Sequence, residues 1–173
     1  MKVKQDKIEQ YDCSDGEYLS KVRRQYFAPI GRFLIAFSSL EHSLDIHIAE
    51  SFIDDAHEYG YLIIEGSSLC GKIDLFRKLF QMRLRYIKPR QLGKLDAILK
   101  RLHAVRVFRN YIAHANWESL EKTGYVRTKI DEKDGEIVLK KVRITPITIG
   151  SWIRRVERLE EDLYEFVENS AGI

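Results

Sequence analysis

The chain of 173 residues has only two cysteines, Cys13 and Cys70, and three prolines. Neither cysteine belongs to a Cys-x-x-Cys pair, and two thiols cannot build a disulfide framework. Three prolines and ten glycines leave little room for the turn-dense architecture of an all-β sandwich. No run approaches the roughly 18 to 20 apolar residues that a membrane span requires, so no membrane partner is expected. The start, Met1 to Lys7, lacks the apolar stretch of a secretory signal. A reduced, cytoplasmic protein is the expectation from these absences. What the chain does have is 45% hydrophobic and 11% aromatic residues, enough for a core and against disorder.

Net charge is only +3, but it is unevenly spread. Twelve Lys or Arg lie between Cys70 and Asn116, opposed only by Asp74 and Asp96, a local balance of +10. The remainder, with 17 basic and 24 acidic residues, carries −7. Such segregation favours a phosphate-bearing partner. The alternative is that folding sets the acidic remainder against the basic middle.

Residues 1–14 are polar and unpatterned, and are expected to be a mobile segment ahead of a single domain over 15–173. Ser14-Asp15-Gly16-Glu17 reads as a capping box, followed by a short helix to about Phe27. Pro29 suits the first turn of a new helix. Phe33, Phe37, Leu40, Leu44 and Ile48 then recur at spacings of three and four, predicting a long helix to about Asp54. Residues 55–68 read as irregular. Further helices are predicted over about 69–86 and 90–117, the first stopped by Lys88-Pro89. At about 124–145 the period changes to that of strands, with Asp134-Gly135 as a hairpin turn. Thr148 or Ser151 can cap a last helix carrying Trp152, Val156, Leu159, Leu163 and Phe166 inward. The fold class is mainly α: a four- to five-helix antiparallel bundle with a small inserted β-hairpin.

The strongest chemical signal is Arg109-Asn110-Tyr111-Ile112-Ala113-His114 near the end of the helix predicted over 90–117. Arg109 falls in phase with Leu102, Val105 and Ile112, on the side that should be buried, where a guanidinium needs an anion. Asn110 and His114 are four positions apart and share a face. On an ideal helix Arg109 and His114 are about 140° apart, so convergence on one ligand needs a wrapping arginine or a site across a two-fold axis. Arginine, amide and imidazole together offer a phosphate clamp, a hydrogen-bond positioner and a proton carrier.

Arg109, Asn110 and His114, an Arg-Asn-x-x-x-His pattern on a late helix of a small bundle, resemble the signature of the HEPN superfamily of helical ribonucleases and nucleotide-binding domains. The resemblance implies a metal-independent endoribonuclease without a cofactor, a homodimer whose protomers share a cleft, and a 2′,3′-cyclic phosphate product. It also implies a role as a toxin or in antiviral defence, with a protein antitoxin or inhibitor as a partner. Some members are silenced by nucleotidylation of a tyrosine two positions after the histidine; that position is Asn116 here. The competing reading is a helical module that binds a nucleotide, RNA or a protein without cutting.

Glu41 lies on the inner stripe of the first long helix, where a carboxylate wants a cation; Arg109 or His114 would serve, and Glu41 would then orient the imidazole, the alternative being a flanking carboxylate that reaches solvent. Arg101, Arg106 and Lys72 are expected to hold the RNA strand. Gly66-Ser67-Ser68-Leu69-Cys70-Gly71-Lys72 fits the phosphate-loop pattern. However, Ile73 stands where a Ser or Thr would bind magnesium, and no parallel sheet is predicted to hold such a loop. Gly66 and Ser67 or Ser68 then read as the end of one segment and the cap of the next helix. Glu41, His42, Asp45 and His47 are close in sequence but do not share one helical face, so no metal site is assigned.

Overall fold

A computed structural model describes residues 2–7, 16–51, 57–87 and 91–171. The described residues form, in chain order, strand β1 (Val3–Lys7), helices α1 (Gly16–Ala49), α2 (His57–Ile64), α3 (Leu69–Ile87) and α4 (Leu92–His114), strands β2 (Tyr125–Lys133) and β3 (Glu136–Arg143), and helix α5 (Pro146–Ala171). The class is the expected one, a helical bundle with a small antiparallel sheet. The chain divides into two compact units. The first is Met1–Leu34 with Phe108–Ile153; the second is Ile35–Val107 with Arg154–Ile173. Each boundary falls inside a long helix, which is why no linker composition marks it in the sequence.

In the first unit, β3 is the central strand of a three-stranded sheet in the order β1-β3-β2. Asp134 (φ 54°) and Gly135 (φ 78°) both take the left-handed backbone that a tight hairpin turn requires, as the Asp-Gly pair predicted. Residues 3–7, expected to be mobile, instead pair with β3 from Val3↔Val142 to Lys7↔Val138. Val-Lys-Gln-Asp-Lys has no apolar alternation, so its order comes from the hydrogen-bonding edge of β3. Its charges suit an edge strand, which must not invite a further partner. The capping box at 14–17 lies partly outside the described residues.

Phe33 and Phe108 meet edge to face with centroids 5.1 Å apart, and Phe108 stacks on Trp152 at 4.6 Å. Phe33 and Phe108 are fully buried. Tyr26, Val126, Val142, Ile144 and Ile149 complete this core. The second unit is a helical bundle around Leu44, Ile48, Ile73, Phe76, Phe80, Leu95, Leu102, Leu159 and Leu163. The rings of Phe76, Phe80 and Phe166 cluster at its centre.

Three helix boundaries differ from the sequence reading. Pro29 lies inside α1, which runs unbroken where two helices were expected. Proline removes the amide that would pair with the Gln25 carbonyl, and Gln25 is exposed, so water can satisfy that group. The second difference is α2, which occupies a stretch read as irregular. Its Gly60 serves close packing: a Cβ there would lie 2.8 Å from the Ala49 Cα. Finally, α5 begins at Pro146, and its cap is Thr145, whose Oγ1 accepts the Thr148 amide at 3.1 Å.

Candidate functional site

All six residues of the Arg109–His114 motif lie in α4, and His114 is its last residue. Phe108 and Ile112 point into the core of the first unit and fix the phase of the helix. Asn110 is half-buried and His114 exposed. Arg109, expected on the buried side, is half-buried, and its Nη1 donates to the Asn110 Oδ1 at 3.3 Å. Two positions that the helical repeat separates are thus joined by the arginine's reach, and the amide orients the guanidinium.

The chain is held just beyond the motif by contacts that close α4. The Ala115 amide donates to the Tyr111 carbonyl at 3.1 Å. The Trp117 indole N–H donates to the Ile112 carbonyl at 3.1 Å, and its ring lies 5.5 Å from that of Tyr26. Asn116 donates its backbone amide to the Arg127 carbonyl at 2.8 Å, and its side chain accepts from the Glu118 amide at 3.1 Å. Trp117 therefore fixes the end of α4, a contact that sequence reading missed. The available signal was an indole just after the last apolar position of the helix, where carbonyls lack intrahelical partners.

The cation beside Glu41 within the second unit is Lys72: its Nζ donates to Glu41 Oε1 at 3.3 Å and to Asp45 Oδ2 at 2.8 Å. Glu41 and Asp45 are four residues apart on α1 and so present one face to α3. Burial works against the Lys72 charge, but the two carboxylates outweigh it and hold its pKa above the ordinary lysine value. Lys72 is thereby committed to carboxylates and joins α1 to α3, rather than presenting a free charge to phosphate. Arg101 is paired with Asp162. Arg106 is half-buried, and its buried Nε has no hydrogen-bond partner among the described residues.

The Gly66–Lys72 stretch ends one helix and caps the next. Gly66 takes φ 74°, the Ser67 amide donates back to Ile64, and Ser68 Oγ accepts the Gly71 amide at 3.2 Å. A helix, α2, precedes it where a phosphate loop needs a strand.

Among the described residues no three His, Cys, Asp or Glu side chains come together as a metal-holding group. His47 is buried in the second unit beside Tyr164, with its Nδ1 3.7 Å from Glu50, beyond hydrogen-bond reach. Burial lowers its pKa below the ordinary value, against the opposing pull of Glu50 and Glu168. A base with a lower pKa folded than unfolded binds fewer protons in the folded state. Its stability contribution is therefore complete above the unfolded value of about 6.5 and declines as pH falls through that value toward the folded one. Urea midpoints measured from about pH 7.5 down to about pH 5 are expected to fall more steeply for wild type than for His47→Phe. Parallel curves would mean that this imidazole does not carry the change.

Among the described residues no helix is long and apolar enough to cross a membrane. No family model matches the sequence, and no curated protein and no solved structure matches the chain.

Proposed function

We propose that this chain is a metal-independent endoribonuclease that cuts single-stranded RNA as a homodimer, in the role of a toxin or an antiviral defence protein. The observation that supports this most directly is Arg109, Asn110 and His114 on the closing turns of one helix, with the guanidinium joined to Asn110 and the imidazole exposed. RNA carries its own nucleophile, the 2′-hydroxyl beside each phosphate. Attack by that oxygen on phosphorus breaks the bond to the 5′-oxygen and leaves a 2′,3′-cyclic phosphate and a 5′-hydroxyl. His114 takes the proton of the 2′-hydroxyl or delivers one to the departing oxygen. Arg109 neutralises charge growing on the phosphoryl oxygens through its parallel donors. Asn110 holds the guanidinium in place.

The test is incubation of the purified protein with unstructured RNA in excess EDTA. Cleavage that survives chelation and leaves cyclic-phosphate ends is the expected result. RNA that stays intact but bound would instead make the chain a non-catalytic binding module. A protein inhibitor of the antitoxin kind would protect the RNA when added first.

A further inference from the structure

In the first unit, α1, the loop before β2, the end of β3 and the start of α5 enclose a cleft of about 570 Å³. Three of its lining residues, Lys21, Lys122 and Arg143, are cations, and among the described residues no Asp or Glu lines it. The three belong to different elements, so the fold gathers charges that no sequence run brings together. Their neighbourhood is firmly built. Arg143 Nε donates to the Thr123 carbonyl at 2.9 Å, which fixes the plane of the guanidinium. Gly124 takes φ 83°, and a Cβ there would lie 2.9 Å from Thr145 Cγ2 and 3.2 Å from the Ile144 carbonyl oxygen. The Tyr26 hydroxyl donates to the same Ile144 carbonyl at 3.2 Å. These contacts press the loop and the start of α5 together as one wall.

Beside the cleft, Glu121 accepts from Lys141 Nζ at 2.7 Å and from the Thr123 hydroxyl at 3.2 Å. Thr145 and Pro146, which open α5, line the cleft, so the partial positive charge of a helix N-terminus adds to that of the side chains. A concave cleft lined by three cations from separate elements matches a phosphate group.

We propose that this cleft binds the phosphate of a nucleotide unit. The phosphate belongs either to an RNA strand, in which case the cleft is a strand-holding subsite and rests on the ribonuclease reading, or to a free mononucleotide. None of its lining residues belongs to the Arg109–His114 motif, so the affinity does not depend on cleavage.

Two probes separate the sources: adenosine 5′-monophosphate followed by calorimetry, and a short labelled deoxyoligonucleotide followed by anisotropy. The deoxyoligonucleotide has no 2′-hydroxyl and stays intact whether or not the chain cuts RNA. Loss of a charge-assisted contact predicts binding about tenfold weaker or more in Arg143→Glu and in Lys21→Glu, with a salt dependence reduced by about one unit of slope. Lys21 is an exposed helix residue, so Lys21→Glu keeps the test valid if Arg143→Glu, which also loses the Thr123 contact, fails to fold. Weakening of the oligonucleotide alone identifies the strand as the source, and weakening of the mononucleotide alone identifies the free nucleotide. Wild-type affinity for both probes in folded Lys21→Glu, or no binding of either probe to wild type, overturns the proposal. Binding that tracks Lys21 in a protein that leaves RNA intact would retain the cleft and remove the nuclease.

Discussion

His114→Ala is expected to slow RNA cleavage by about 10²- to 10⁴-fold, the range typical of a lost general acid or base. The fold should be untouched, because His114 is exposed at the end of α4 and surface substitutions usually change stability by no more than about 0.5 kcal/mol. The Trp117 indole and the Ala115 amide, which close the helix end, do not involve the imidazole. Circular dichroism and the melting temperature should therefore match wild type while the cleavage rate collapses. Wild-type cleavage by His114→Ala would remove the imidazole from the chemistry and with it the proposed mechanism. Arg109→Lys is the companion measurement. It keeps the charge but loses the planar fork, so the rate should still fall by about 10²-fold, near the effect of deleting one transition-state donor.

Phe108→Ala carries the largest expected cost in stability, about 3 to 5 kcal/mol. The ring is fully buried, edge-on to Phe33 and stacked on Trp152, and it directly precedes Arg109. Removing it takes away apolar contact and leaves a cavity that its two ring partners cannot easily fill. For a chain of this size the melting temperature should drop on the order of 10 °C. Phe27→Ala is the control: Phe27 is 65% exposed on α1, and its removal should shift the midpoint little. A Phe108→Ala melt close to wild type would show that the aromatic cluster is not a main support of the first unit.

Much of the helical framework is legible in the chain because its signals are local. Phe33, Phe37, Leu40, Leu44 and Ile48 mark α1 at helical spacing, and all are buried. The stripe of Val156, Leu159, Leu163 and Phe166 is buried in α5 in the same way. Asp134-Gly135 specifies its turn because two adjacent left-handed residues are costly for most side chains. The Arg-Asn-x-x-x-His motif is legible for the same reason, since three residues on one helix need only the helix to take up their spacing.

The remaining features depend on partners distant in sequence. Strand β1 has no pattern of its own and is ordered by β3, some 130 residues later. Gly60 reads as a helix breaker but sits inside a helix, because Ala49 approaches too closely for any side chain. Glu41 could be seen to need a cation, yet only packing brought Lys72 to it. The basic cleft combines Lys21 with Lys122 and Arg143, residues about a hundred positions apart. Periodicity and turn chemistry are short-range properties, so the chain alone determined most of its helices, its hairpin and its motif. Charge pairing and strand order arise only when distant segments meet, so the tertiary structure decided which of the charged groups were spent on one another.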